Sequence, residues 1–123
     1  MGAEPTIVIA EDDSDLRNLL VYTLESAGYV VEAFGAGDEC LERLQTGSLP
    51  DLVMLDIMMP GMDGIDVLEE IRDNARLEGL PVVFLSGRGR ESDIVAGFEA
   101  DVDDYITKPF SPGVLRARVA RLL

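Results

Sequence analysis

Asp56 closes the apolar run Leu52, Val53, Met54, Leu55 and stands just before the turn-forming stretch Pro60, Gly61, Met62, Asp63, Gly64. A second apolar run, Ile7, Val8, Ile9, Ala10, ends in Glu11, Asp12 and Asp13. If both runs are strands of one open α/β sheet, these acids gather at a single edge, where such folds place their chemistry. Carboxylates packed together repel, raise one another's pKa values and favour a hard divalent cation. Mg2+ commonly takes one or two carboxylates with waters and a phosphate. The triplet by itself also fits a plainer role, capping the first helix at the positive end of its dipole. Two further strand ends add polar groups: Ser86 follows Val82, Val83, Phe84 and Leu85, and Lys108 follows Tyr105, Ile106 and Thr107 and precedes Pro109. Together these groups are what transfer of a phosphoryl group to Asp56 requires. Asp56 attacks as a carboxylate nucleophile, a metal and Lys108 neutralise the phosphoryl oxygens, and Ser86 donates a hydrogen bond.

Such a constellation needs strands to carry it. Short, β-branched apolar runs predict five: Ile7 to Ala10, Tyr29 to Val31, Leu52 to Leu55, Val82 to Leu85, and Tyr105 to Ile106. Between them the spacing turns helical. Leu16, Leu19, Leu20, Leu24 and Ala27 form one stripe, and Ile65, Leu68, Ile71 and Ala75 another. Gly28 stops the first helix, Ser92 and Asp93 cap a fourth, and Ser111 with Pro112 opens a fifth that runs to the end of the chain. Strict alternation of strand and helix predicts a three-layer, doubly wound parallel sheet with five helices. Strands one and three must be neighbours for Glu11, Asp12 and Asp56 to converge, which selects the order 2-1-3-4-5.

Composition agrees. The chain has 123 residues, 47 % of them apolar, with no Trp, which suits one domain over residues 1–123 with a Val, Ile, Leu and Ala core. Asp and Glu number 24 against 10 Lys and Arg, a formal net charge of −14. That surface repels nucleic acid and anionic membranes, so direct contact with either is not expected. A lone Cys40 among helical apolar residues reads as a buried thiol in a reducing compartment. No run approaches the roughly 20 apolar residues of a membrane span and no secretory leader is visible, so a cytoplasmic location is expected.

Glu11-Asp12, Asp56 with Met58-Met59-Pro60-Gly61-Met62-Asp63-Gly64 after it, Ser86-Gly87, and Tyr105-Ile106-Thr107-Lys108-Pro109-Phe110 closely resemble the receiver domain of two-component response regulators, over essentially the whole chain. The last third is most similar to receivers of winged-helix DNA-binding (OmpR/PhoB-like) regulators. The resemblance implies a flavodoxin-like fold and makes Asp56 the phosphoacceptor. Glu11, Asp12, Asp56 and the backbone carbonyl of Met58 would hold Mg2+, Glu11 largely through water and Asp12 directly. The chain has no His and so cannot carry its own phosphohistidine. The implied donor is a sensor histidine kinase or phosphotransfer protein, with acetyl phosphate as a small-molecule substitute.

By the same resemblance, phosphorylation draws Ser86 toward Asp56 and Tyr105 turns into the vacated space. This changes the face of the fourth helix, fifth strand and fifth helix, through which a homodimer forms. Where that subfamily commonly pairs a base with an acid across the dimer, Ile94 and Val114 stand here, so an apolar contact is expected, rimmed by Arg118 with Asp103 or Asp104. Asp101-Val102 departs from the usual Gly-Ala. Met58 and Arg88, which flank the path of the hydrolytic water in this family, position water poorly, so self-dephosphorylation is expected to be slow. The domain is thus a phosphoacceptor that assists its own chemistry rather than an enzyme. Its output is expected to be transcription control through a DNA-binding domain outside this chain, the alternative being a stand-alone receiver or phosphorelay intermediate. Two rivals fit less well. A haloacid-dehalogenase-like phosphatase needs an acid where Met58 stands, and a flavodoxin-like electron carrier needs a phosphate cradle where Glu11, Asp12 and Asp13 would repel one.

Overall fold

The computed structural model describes residues 4–87 and 102–123. Five parallel strands, β1 (Thr6–Ala10), β2 (Val30–Phe34), β3 (Leu52–Asp56), β4 (Val82–Ser86) and β5 (Asp104–Thr107), form one sheet in the order β2-β1-β3-β4-β5. The expected order therefore holds. Successive side chains of a strand point to opposite faces, and the apolar runs fill both. Val8, Ala10, Val53, Leu55, Val82 and Phe84 pack on one side with Cys40 and Leu44 of α2 (Gly37–Thr46) and Val67, Leu68 and Ile71 of α3 (Gly64–Arg72). Ile7, Ile9, Leu52, Met54, Val83 and Leu85 pack on the other with Leu20 and Leu24 of α1 (Ser14–Ser26) and Leu115 and Val119 of the C-terminal helix (Pro112–Leu122). These are the three layers of a doubly wound domain.

Four helices lie among the described residues. The helix expected between β4 and β5, with its caps Ser92 and Asp93, falls outside them, as do Arg88, Ile94 and Asp101. Among the described residues, no helix is long and apolar enough to cross a membrane. Cys40 is buried as expected, and desolvation pushes its thiol up to about 12.

Two boundaries differ from the sequence reading by more than one residue. The second strand runs Val30–Phe34 rather than Tyr29 to Val31. Glu32 interrupts the apolar run, but on an edge strand it is satisfied by an ion pair of 2.7 Å with Arg43, whereas the Tyr29 N–H is spent on the Leu24 carbonyl. Helix α3 ends at Arg72 instead of reaching Ala75. The Arg72 guanidinium folds forward onto the carbonyls of Glu78 and Leu80, steering the chain into the turns that lead to β4.

Candidate functional site at the carboxyl edge of the sheet

Strands β1 and β3 are paired with Ala10 opposite Leu55, so the chain delivers Glu11 and Asp56 side by side as it leaves the sheet. Oxygens of Glu11, Asp12 and Asp56 all lie within 4.8 Å of one another. Asp13 is set apart from this group. It is the N-cap of α1, its carboxylate accepting from the N–H groups of Asp15 (2.9 Å) and Leu16 (3.1 Å). The capping role and the cluster role are therefore divided within the triplet.

Glu11 is fully buried and Asp56 is 3 % exposed, while Asp12 faces solvent. Lys108, just past β5, reaches across the site. Its Nζ lies 3.0 Å from Glu11 Oε1 and 3.1 Å from Asp56 Oδ1. The Met58 N–H donates to Asp56 Oδ1 (3.3 Å) and the Asp13 N–H to Glu11 Oε2 (3.1 Å). Glu11 Oε1 is close to the ammonium but not aligned for a hydrogen bond, so a buried carboxylate oxygen has no hydrogen-bond partner. Such an oxygen is costly unless a charge satisfies it.

Burial and then the neighbouring Glu11 carboxylate push the Asp56 carboxyl up to about 7, against the opposing pull of Lys108. Burial works against the Lys108 ammonium, but Asp56 and Glu11 outweigh it and raise its pKa. Three converging carboxylates, one with a buried oxygen that has only the Lys108 ammonium beside it, are a donor set that suits a hard divalent cation such as Mg2+.

The remaining expected residues are more scattered. Ser86 ends β4 opposite Thr107 of β5, with its neighbour Leu85 opposite Asp56; its side chain lies outside what the structure describes. Tyr105 is 44 % exposed on β5, and Val114 is 45 % exposed on the C-terminal helix. Asp104 is held within the chain by Arg118 (2.8 Å) and Arg121 (2.6 Å). Asp103 turns the other way, accepting from the Val82 N–H at 2.8 Å and lying 3.6 Å from Arg72.

Two contributors have roles the sequence does not show, Arg17 not singled out there at all and Gly64 only as a turn and motif residue. Arg17 donates from Nη1 to the carbonyls of Glu11 and Asp12; its signal was an arginine one turn into the helix that follows the acids. Gly64 opens α3, and a Cβ there would overlap the Asp56 carbonyl oxygen. Its N–H donates to Ile57 (3.2 Å), closing the loop that follows Asp56. Gly64→Ala is expected to cost about 1–3 kcal/mol as this contact is forced apart, measured by urea denaturation. An unchanged midpoint would show that the loop yields freely.

A doubly wound parallel sheet whose switch point carries an acidic cluster bridged by a lysine defines an α/β domain with its candidate site at the strand ends. The profile described as "Response regulator receiver domain" matches residues 7–120, and the chain belongs to that family. It is 44 % identical over 119 residues to the phosphate regulon transcriptional regulatory protein PhoB of Rhizobium meliloti, covering 97 % of this chain and 52 % of the relative. It is 39 % identical to the alkaline phosphatase synthesis transcriptional regulatory protein PhoP of Bacillus subtilis, covering 95 % and 48 %. The receiver domain of the Francisella response regulator 1452 superposes with a TM-score of 0.85 at 31 % identity, covering 97 % and 96 %. The chain spans about half the length of these curated relatives. It is a response regulator receiver domain related to transcriptional regulators of two-component systems.

Proposed function

We propose that this domain accepts a phosphoryl group onto Asp56 from the phosphohistidine of a sensor histidine kinase or phosphotransfer protein. The observation that carries this reading is a buried Asp56 carboxylate flanked by Glu11 and Asp12 and touched by the Lys108 ammonium at 3.1 Å. An Asp56 carboxylate oxygen attacks phosphorus, the P–N bond of the donor breaks, and the imidazole leaves with its electron pair. Glu11, Asp12, Asp56 and the Met58 carbonyl would hold Mg2+, which supplies charge neutralisation for the phosphoryl oxygens. Lys108 adds a fixed positive charge on the same side, and Ser86 adds a hydrogen-bond donor. Burial and Glu11 push the Asp56 carboxyl up to about 7 even against the pull of Lys108, and a cation held beside it would favour its nucleophilic form.

The signal leaves through Ser86 and Tyr105 to the face built by β5 and the C-terminal helix, where homodimerisation is controlled. A groove of about 570 Å3 there, lined by Tyr105, Phe110, Val114 and Arg118 among others, supports that reading. Exposed Val114 suits an apolar contact, with Ile94 as its expected counterpart. For Arg118 to reach a partner's acid it must exchange its hold on Asp104. Asp103 is engaged with Val82 and Arg72 and is the less available rim acid. Output through a DNA-binding domain beyond this chain accords with its relatives, and a net charge of −14 keeps DNA contact away from this part. Met58 and, by its residue type, Arg88 are poor water-positioning groups, so a long-lived phosphoryl group is expected.

Incubation with acetyl phosphate and Mg2+ is expected to give one phosphoryl adduct by intact-mass analysis, absent when EDTA replaces Mg2+ and absent from Asp56→Asn. An adduct that survives in Asp56→Asn would move the acceptor elsewhere. No adduct from acetyl phosphate or from a phosphohistidine donor would overturn the proposal.

A further inference from the structure

Helix α1 places a cation where its dipole disfavours one. Arg17 sits one turn from the N-terminus, at the positive end, in a molecule that has few basic residues to spare. Its side chain turns back toward the site. Nη1 donates to the Glu11 carbonyl at 2.9 Å and approaches the Asp12 carbonyl at 3.4 Å. The backbone explains the need. Glu11 N–H makes a last rung to the Phe34 carbonyl, β2 ends there, and the Glu11 carbonyl beyond it has no strand beside it. The neighbouring chain makes room for the guanidinium, since a Cβ at Gly35 would stand 3.1 Å from Nη1.

We infer that Arg17 is a positioning residue for the divalent cation site, fixing the backbone of Glu11 and Asp12 so that their carboxylates converge on Asp56. The inference rests on the metal site proposed above. Arg17 touches neither cation nor phosphoryl group and acts through two peptide carbonyls. Hydrogen-bonded supports of this kind typically change metal affinity 10- to 100-fold.

Sign separates this role from a purely electrostatic one. Removing a positive charge beside three acids strengthens their pull on a cation, whereas loosening the two residues that carry the acids weakens it. Calorimetric titration of the metal-free chain with Mg2+ is the test, on wild type, Arg17→Gln, Gly35→Val and the double variant, with thermal melts to confirm folding. Gly35→Val leaves Arg17 in place but fills its passage. Both variants are expected to bind Mg2+ about 10- to 100-fold more weakly than wild type, and the double variant little worse than either single one. If Arg17→Gln lowers the melting temperature but binds Mg2+ equally or more tightly, Arg17 is only structural or electrostatic and the inference falls. If Arg17→Gln is too unstable, unchanged affinity in Gly35→Val overturns it as well. Absence of any Mg2+ binding by wild type would overturn the metal site itself, a result distinct from a wild type that binds and variants that match it.

Discussion

In metal-free buffer at pH 8, Asp56→Asn is expected to melt roughly 5–10 °C above wild type, and this advantage is expected to vanish toward pH 4. The Asp56 carboxyl is pushed up to about 7 in the folded chain, first by burial and then by Glu11, whereas in the unfolded chain it titrates near its ordinary value of 3.8. Between those two values the folded state keeps a proton that the unfolded state has released. The stability contributed by this group is therefore complete below about 4 and is lost as pH rises through about 7. Over that window the loss is on the order of a few kcal/mol, and a domain of this size shifts by roughly 4 °C for each. An amide of the same shape carries no such cost. Lys108 keeps Glu11 as its partner at 3.0 Å in the variant, so the ammonium is not orphaned. Mg2+ is expected to raise the melting temperature of wild type at pH 8 and to do much less for Asp56→Asn, since a ligand stabilises only the state that binds it. Melts from pH 4 to 8 with EDTA or Mg2+ decide the matter. Parallel pH profiles for the two proteins would show that Asp56 is not held in a strained, ionised state.

The site was legible to the extent that its residues end strands. Asp56, Ser86 and Lys108 each follow a short strand-forming run, so the topology that stacks those runs also collects their ends. Glu11 and Asp12 follow the same logic. What the sequence left open was how the triplet divides, because Asp13 as a cap and Glu11 as a buried acid differ by two positions, and only the exit direction of the chain from β1 separates them. Arg17 was invisible for another reason. Its role is played by Nη1 against backbone carbonyls, and peptide groups leave no trace in residue type. Gly64 looked like turn chemistry, while its constraint is the Asp56 carbonyl, which occupies the space a Cβ would need. On the fold side, the misplaced second strand shows an edge effect: Glu32 ends an apolar run but not a strand, because Arg43 reaches it from α2. Asp103 and Asp104 look like equal rim acids in sequence, yet β5 begins only at Asp104; Asp103, just before it, is spent on Val82 and Arg72, while Asp104 holds Arg118 and Arg121.

Lys108→Met is expected to slow phosphoryl transfer to Asp56 by about 100- to 1000-fold at saturating Mg2+, the usual loss when a preorganised donor to a charged transition state is removed. Its binding of Mg2+ is expected to tighten. These opposite directions follow from one geometry. The ammonium stands 3.0 Å from Glu11 and 3.1 Å from Asp56, so it competes with any cation for the same oxygens and its removal frees them. During transfer, negative charge on the phosphoryl oxygens needs a second cation besides the metal, and the methionine side chain supplies none. The fold should bear the change, because Lys108 lies at the mouth of the site and Asp56 can take up a proton when its cationic neighbour is gone. Time courses of adduct formation by intact mass across a series of Mg2+ concentrations read both quantities, the half-saturating concentration and the limiting rate. If the limiting rate returns to the wild-type value at high Mg2+, the lysine merely organises the metal site and a second cation makes the same contribution. If rate stays low while half-saturation falls, the ammonium acts on the phosphoryl group itself, and the convergence of β5 on β3 through β4 exists to deliver that charge.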